Sequence, residues 1–223
     1  IALDSMRYTI PSSAPTTRKE MIEEILKAQL PDGGFSLYHD TADVDITAMA
    51  LQALAPYANS FQSFTYKQQA INTTVTKTVR IVVEEALATL STMQTKSGDF
   101  TSWGEPNAES TAQVLVALSA LQVDPLTDTR FIKNGQTIID GLMRYQQEDG
   151  GFIHSENYNP ENPTSLPDES NSMASEQVLY ALIAYKRATE NFRALYDIRA
   201  EQNNALKQQI EQFEQAILLA DLT

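Results

Sequence analysis

A seven-residue motif recurs three times in this chain of 223 residues and restricts the folds that the chain can adopt. The motif is Gln, three further residues, Gly, then Gly or Asp, then Phe, and it occupies residues 29–35, 94–100 and 146–152. An Ala-rich apolar segment with an Ala-Leu pair follows each copy. These pairs are 64 residues apart, at 53–54, 117–118 and 181–182. Similarity at a fixed period indicates one supersecondary unit that is repeated and stacked.

The segments on either side of each motif have the apolar spacing of helices. Upstream, apolar residues recur on one face, which predicts three outer helices with this apolar set: Met21, Ile22, Ile25, Leu26; Val75, Val79, Val82, Ala86, Leu87, Leu90, Met93; and Ile138, Ile139, Leu142, Met143. Downstream, the segments 45–57, 109–121 and 172–185 are apolar nearly all round, which predicts inner helices packed between two layers.

The motif itself predicts a turn. Gly tolerates the left-handed backbone conformation and is expected to end each outer helix, and the Phe that follows is expected to enter the core. The linkers 58–74 and 156–170 are polar or Pro-rich and are predicted to be loops. Residues 1–8 are interpreted as the end of a further helix, which suggests a piece of a larger multidomain chain.

Composition excludes several classes of function. The net charge of −13 repels phosphate backbones and anionic lipid headgroups, so we expect no nucleic-acid partner. No apolar run approaches the ~20 residues of a membrane helix, so we expect no membrane insertion. The absence of Cys removes thiolate nucleophiles, thioesters and Cys-ligated zinc.

The repeated helix, turn and inner helix resemble the prenyltransferase and squalene-oxidase repeat of the α/α toroid superfamily, over residues 18–190. The resemblance implies an all-α fold, an α/α toroid or partial α/α barrel of antiparallel helical hairpins, of which a full ring has about six. It implies a repeat domain at 1–195, with units at about 18–57, 75–122 and 131–189. Residues 196–223 are predicted to add a C-terminal amphipathic helix, with Leu206, Ile210, Phe213 and Ile217 along one stripe.

The residues that start the first inner helix are similar to two groups within this superfamily. The run from Thr17 to Tyr57, which contains Asp43 to Leu54, resembles toroid modules of Gram-positive surface proteins, and so does the run from Phe131 to Gly135. This resemblance implies an extracellular or cell-wall-attached location. The run Asp43-Val44-Asp45-Ile46-Thr47-Ala48 resembles the Asp-x-Asp-Asp-Thr-Ala motif of class II terpene cyclases, which implies Asp45 as general acid. Ile46 replaces the last Asp of that motif, and the chain has few aromatic residues to stabilise carbocations. Capping of the inner helix by Asp43 and Asp45 is therefore the favoured interpretation.

A ligand site, if there is one, is predicted where the Gly-Phe turns meet the inner helices. Equivalent positions of stacked repeats lie at one rim of a toroid, and the predicted site residues there are Asp43, Asp45, Trp103, Glu105 and Glu109. Carboxylates beside an aromatic face suit a cation, a sugar or a basic peptide. Ca²⁺ coordination by the carboxylates is a weaker alternative, and His39 and His154 are interpreted as solvated loop residues rather than metal ligands.

The sequence thus favours a non-catalytic module of a bacterial cell-surface or secreted protein, with an unknown small molecule, glycan or protein as partner and with no cofactor or metal. A terpene-cyclase-like enzyme remains one alternative. The other is a cobalamin-type carrier, which the run from Asp45 to Ala50 also resembles.

Overall fold

The computed structural model describes residues 1–38, 40–163 and 165–200. Within these ranges the chain forms helical hairpins around one apolar core. The outer helices are α1 (Arg18–Lys27), α3 (Val79–Met93) and α5 (Ile138–Met143), and the inner helices are α2 (Val44–Leu54), α4 (Ala108–Ala120) and α6 (Ser172–Thr189). Short 3₁₀ turns follow at Ala55–Tyr57 and Thr129–Phe131.

Each outer helix begins at a threonine whose hydroxyl accepts a hydrogen bond from a backbone N–H in the first turn, namely at Thr17, Thr78 and Thr137. In α1 and α5 the carboxylate three residues later, of Glu20 or Asp140, accepts a hydrogen bond from the backbone N–H of the capping threonine. The two bonds together form a capping box. These caps satisfy N–H groups that a helix leaves free at its start.

The three inner helices lie side by side, with α4 in the middle. Helix α4 contacts α2 on one side and α6 on the other, and nearly all of its residues are buried. The flanking helices each keep an exposed apolar stripe, including Met49 on α2 and Leu179 and Ile183 on α6. The all-round apolar pattern therefore predicted a sandwiched helix correctly for α4, whereas α2 and α6 lie at the open edges of the layer.

The repeated motif folds as a tight turn after the outer helix and not as its cap. Helix α1 ends at Lys27, and Gly33 lies beyond it in a loop closed by a bond from the Leu30 N–H to the Gly34 carbonyl, 2.8 Å long. Gly33, Gly98 and Gly150 all have a positive φ, between 88° and 93°. The left-handed conformation was predicted correctly, but its assignment to the helix ends was wrong, because three residues separate the Gln from the Gly that turns the chain.

In the first two copies of the motif, the structure gives the Gln a role that the pattern did not reveal. The Gln29 side-chain amide donates to the Gly33 carbonyl inside its own turn, at 2.9 Å, and to the carbonyl of Val82 on α3, at 3.2 Å. Gln94 makes the equivalent bonds to Gly98 and to Phe131. Both amides are buried, and each connects its turn to the backbone of the next repeat.

The Phe that ends each motif anchors the turn to an inner helix. Phe35, Phe100 and Phe152 are buried as predicted. The backbone N–H of each Phe donates a hydrogen bond of 2.8 to 3.0 Å to a hydroxyl of the adjacent inner helix. The accepting hydroxyls belong to Thr47, Thr111 and Ser175. These hydroxyls are again 64 residues apart, so the repeat extends to side-chain chemistry.

Two antiparallel hairpins correct the prediction of an all-α chain, since the protein is mostly helical with small sheets. Strands β1 (Ser63–Gln68) and β2 (Thr73–Thr78) form one hairpin, within and beyond the segment predicted to be a loop. Strands β3 (Phe100–Ser102) and β4 (Glu105–Asn107) form the other. Along β1 of the first hairpin, buried and exposed residues alternate. The Thr and Val residues of this hairpin favour strands, although the segment around them is polar. It also moves the start of the second outer helix from Val75 to Val79.

The two ends of the chain depart from the predicted helices or lie outside the described part. Residues 1–7 form consecutive turns instead of a helix, held to the first unit by Arg18, whose guanidinium donates to Asp4 at 3.0 Å. Residues 196–200 form a turn, a bend and irregular backbone, and the rest of the predicted C-terminal helix, from residue 201 onward, lies outside the described residues. Within the described residues, no helix combines the length and apolar character that a membrane crossing requires.

Candidate functional site

At the start of each inner helix, one residue caps the helix and the residue two positions later lines a cavity. Asp43, Asn107 and Asn171 each accept a hydrogen bond from a backbone N–H two or three residues ahead, at 2.8 to 3.0 Å. The cap interpretation is thus correct for Asp43. It is wrong for Asp45, whose carboxylate faces the neighbouring repeat and bonds with side chains there.

One cavity of about 290 Å³ lies at this end of the inner helices. Four of the five predicted site residues line it, namely Asp45, Trp103, Glu105 and Glu109. Asp43 is the exception because it is engaged in capping α2 and does not line the cavity. The residues two positions after the three caps, Asp45, Glu109 and Met173, meet in this wall. Stacking the repeats thus brings equivalent positions of neighbouring units together.

Asp45 is a half-buried carboxylate with one oxygen satisfied. Its Oδ2 accepts hydrogen bonds from the hydroxyls of Ser102 and Ser110, each at 3.2 Å, while its Oδ1 is buried without a partner among the described residues. Burial raises the pKa of Asp45, and the negative charges of Asp43 and Glu109 raise it further, against the two serine hydroxyls that lower it. The site therefore favours a proton, or another positive group, at this carboxylate.

Glu109 is the most buried acid of the wall. Its side chain lies on α4 and its residue is only 8% exposed, yet its Oε1 has no hydrogen-bond partner within the described chain. Its Oε2 lies 2.7 Å from Nδ1 of His154. The other imidazole nitrogen, Nε2, is 3.5 Å from Glu105 Oε1. His154 thus lies between two carboxylates.

This position corrects the prediction that His154 is a solvated loop residue. The hydrogen bond with Glu109 raises its pKa, and the charges of Glu109 and Glu105 add to the effect against partial burial. The second histidine, His39, lies outside the described residues.

A regular relation between repeats explains these contacts. Ser102 and His154 are each two residues beyond the Phe of their own turn. Ser102 in the second unit reaches Asp45 in the first, and His154 in the third unit reaches Glu109 in the second. The spacing from Phe is visible in the sequence, and aligning the three turns at Phe would have identified both residues as site candidates.

Trp103 lies at the mouth of the cavity, on the turn between β3 and β4. It is 85% exposed, and it adopts a φ of +52° beside Gly104 at +92°. Two consecutive positive φ values are typical of a tight hairpin turn, where a bulky residue is uncommon. The turn thus places the chain's one tryptophan on the solvent side of the acidic wall.

A larger cavity of about 480 Å³ lies at the opposite ends of the inner helices, and none of the five predicted residues lines it. Buried glutamines form a ladder across the helices between the two ends: Gln52 donates to Gln113 at 3.0 Å, and Gln113 donates to Gln177 at 3.1 Å. The acidic wall therefore belongs to one end only. Among the described residues, no three His, Asp or Glu side chains are arranged to hold one metal ion, which the calcium alternative requires.

Comparison with family models supports the architecture directly. The model of the prenyltransferase alpha-alpha toroid domain matches residues 1–80 and 68–163, two overlapping stretches that together span most of the chain. The chain belongs to this α/α toroid family. Among curated proteins, the comparison finds no significant match.

Membership of the toroid family establishes the fold and the kinship with squalene-cyclase-like and prenyltransferase-like repeats. A fold does not determine a function, so the activity has to be argued from the side chains of this chain. Those side chains form a small, acidic and open cavity.

Proposed function

We propose that this toroid domain is a non-catalytic module that binds a ligand or a protein at the cavity between Asp45, Glu105, Glu109 and Trp103. The observation that carries the proposal is the pair of buried carboxylate oxygens without partners, Asp45 Oδ1 and Glu109 Oε1, in the wall of an open cavity. Unpaired buried acceptors are costly in a folded protein, and their retention is accounted for if a ligand supplies the donors.

The terpene-cyclase alternative has one observation in its favour. The raised pKa of Asp45 is what a general acid requires, because a carboxyl must hold its proton before it can donate it. Against it, most residues of the described lining around Asp45 are Ser, Asn, Gln or Glu, and its large apolar members are Trp103 and Met173. A polyprenyl chain requires an enclosed apolar surface with aromatic faces toward the cation.

One screen separates these functions. The wild-type protein is incubated with squalene, oxidosqualene and geranylgeranyl diphosphate, and in parallel its Trp103 fluorescence is titrated with glycans, a corrinoid and basic peptides. We expect a fluorescence response to one ligand class and no cyclised product. Product that forms with wild type and disappears with Asp45→Asn would establish the enzyme, and retention of a corrinoid after purification would establish the carrier.

We also propose that the module is part of a larger extracellular or wall-attached protein of a Gram-positive bacterium. The support is the resemblance of residues 43–54 to surface-protein toroids, together with a chain free of cysteine. The complete open reading frame tests this, since an export signal and a wall-sorting sequence are expected in it. A reading frame without either would contradict the location and leave the binding site untouched.

A further inference from the structure

The atoms that lack hydrogen-bond partners indicate which chemical class of ligand the acidic cavity can bind. Asp45 Oδ1 lies on the start of α2 and Glu109 Oε1 on the start of α4, so the two free acceptors belong to different helices. In each carboxylate the second oxygen is already bonded, to Ser102 and Ser110 or to His154. A single ligand that satisfies both must donate at least two hydrogen bonds, and because each oxygen is shielded from solvent in this structure, the two carboxylates must turn toward the cavity as it binds.

The charge of the wall requires a positive occupant. Four carboxylates line the cavity, those of Asp45, Glu105, Glu109 and Glu161, and the described lining includes neither Lys nor Arg. His154 is the only basic side chain in the described lining, and it is engaged with Glu109 and Glu105. Even a protonated imidazole leaves the wall negative, and the net charge of −13 attracts basic partners over distance.

The geometry distinguishes among cations. A metal ion needs several ligands around one point, and no such group occurs among the described residues. A guanidinium carries five N–H donors in a rigid plane, which suits two carboxylates on neighbouring helices. Its flat face also stacks on an indole, and Trp103 stands exposed at the entrance.

From these contacts we infer that the cavity binds the guanidinium group of an arginine side chain presented by a basic protein segment, with Asp45 Oδ1 and Glu109 Oε1 as acceptors and Trp103 as the stacking face. This inference rests on the proposed binding function and names its partner chemistry. The volume of about 290 Å³ falls just below the range of roughly 300–1,000 Å³ for pockets that hold drug-sized molecules, which agrees with one inserted side chain.

The test is a chemical-shift titration that follows the indole N–H of Trp103, the one tryptophan of the chain. The probes are N-acetylarginine amide, its neutral isostere N-acetylcitrulline amide, and N-acetyllysine amide. We expect the arginine probe to bind at least about tenfold more tightly than the citrulline probe, because charge-assisted bonds to both carboxylates are lost with the charge. The lysine probe should fall between them, since ammonium lacks the planar fork.

Variants locate the effect. Asp45→Asn and Glu109→Gln are each expected to weaken the arginine probe about tenfold, the loss of a hydrogen bond between charged groups. Glu148→Gln is the matched control because it removes one exposed negative charge outside the cavity lining, and its effect should stay within about twofold. Far-ultraviolet circular dichroism confirms that each variant is folded.

Three outcomes would overturn the inference. Equal affinity for the citrulline probe would show that the guanidinium charge is not recognised. Unchanged affinity of both cavity variants for the arginine probe would show that it binds elsewhere. A glycan or corrinoid that shifts the Trp103 signal while the arginine probe does not would contradict the inference and leave the proposed binding function in place. If no compound of any class shifts this signal, both the inference and the proposed function fail.

Discussion

Two positions at the start of the inner helices, only two residues apart, behave differently. The first position is a cap in all three repeats, held by Asp43, Asn107 and Asn171, and its side chain is satisfied by the helix it begins. The second position carries Asp45, Glu109 and Met173, which line one cavity across repeats. Its two carboxylates each retain a buried oxygen without a partner in the described chain.

The difference teaches that a repeated pattern can separate stability from binding. A cap residue interacts within its own helix, so any repeat benefits from it and the position is filled three times by a good capping side chain. The second position contacts the next repeat, and its chemistry changes from acid to Met along the array. Stability is therefore expected to depend on the first position and the turn beneath it, and affinity on the second.

The largest expected effect concerns the turn on which both positions rest. Phe100→Ala removes a fully buried ring from beneath α4 and should lower the free energy of unfolding by about 3–5 kcal/mol. Trp103→Ala, on the same hairpin but exposed, should change it by less than about 1 kcal/mol. Urea unfolding of both variants checks this contrast. A loss under 1 kcal/mol for Phe100→Ala would mean that the turn does not dock as described.

A smaller loss is expected at the cap. Asn107→Ala leaves the Ser110 N–H without its acceptor and should cost about 0.5–2 kcal/mol of the unfolding free energy. Asn107→Ser keeps a capping acceptor at the same place without adding a charge to the acidic wall and serves as the matched control, with a smaller loss expected. Equal losses in the two variants would show that the side chain matters for a reason other than capping.

The His154–Glu109 contact predicts a dependence of stability on pH. Because the folded state raises the pKa of His154 above its ordinary value of 6.5, protonation favours the folded state. The contribution is complete below pH 6.5 and is lost as the pH rises through the folded pKa. The unfolding free energy of wild type minus that of His154→Gln should therefore decrease toward alkaline pH. A difference that stays constant or grows with pH would exclude a protonated His154 in the folded protein.

The smallest effect is expected at Asp45, with the opposite sign. The folded state raises the pKa of Asp45 above its ordinary value of 3.8, so the charged carboxylate destabilises the fold at neutral pH and protonation relieves the cost. Asp45→Asn should raise the melting temperature slightly at neutral pH. The gain should shrink as the pH falls through the folded pKa and vanish below 3.8. A variant less stable than wild type at neutral pH would show that the charge of Asp45 supports the fold.

The sequence predicted much of the fold because the repeat depends on local and periodic signals. The 64-residue period placed the inner helices, and the recurring motif from Gln to Phe placed the turns and the burial of Phe35, Phe100 and Phe152. The first hairpin was missed because its Ser, Gln and Thr residues are as common in loops, and β1 becomes amphipathic only when Phe64 and Tyr66 find the core. Strand pairing of this kind depends on tertiary context.

The candidate site was predicted in part. The positions that line the cavity were assigned from the repeat, but three contacts depend on distances between units that one repeat does not reveal. Ser102, Ser110 and His154 reach carboxylates of a different unit or helix, 45 to 65 residues away in sequence. Asp43 was predicted both as a helix cap and as a site residue, and the bond that it accepts from the Ile46 N–H assigns it to the cap.

The most direct test of the central claim compares Asp43→Asn with Asp45→Asn in the titration with N-acetylarginine amide. Each variant removes one negative charge from the start of the same helix, and asparagine preserves the cap at position 43. The account predicts that Asp45→Asn weakens binding about tenfold, the loss of a charged hydrogen bond. It predicts a change of about threefold at most for Asp43→Asn, the scale of a nearby charge without contact. Equal losses in both variants would contradict it, since the general negative field would then account for binding and the second position would have no role of its own.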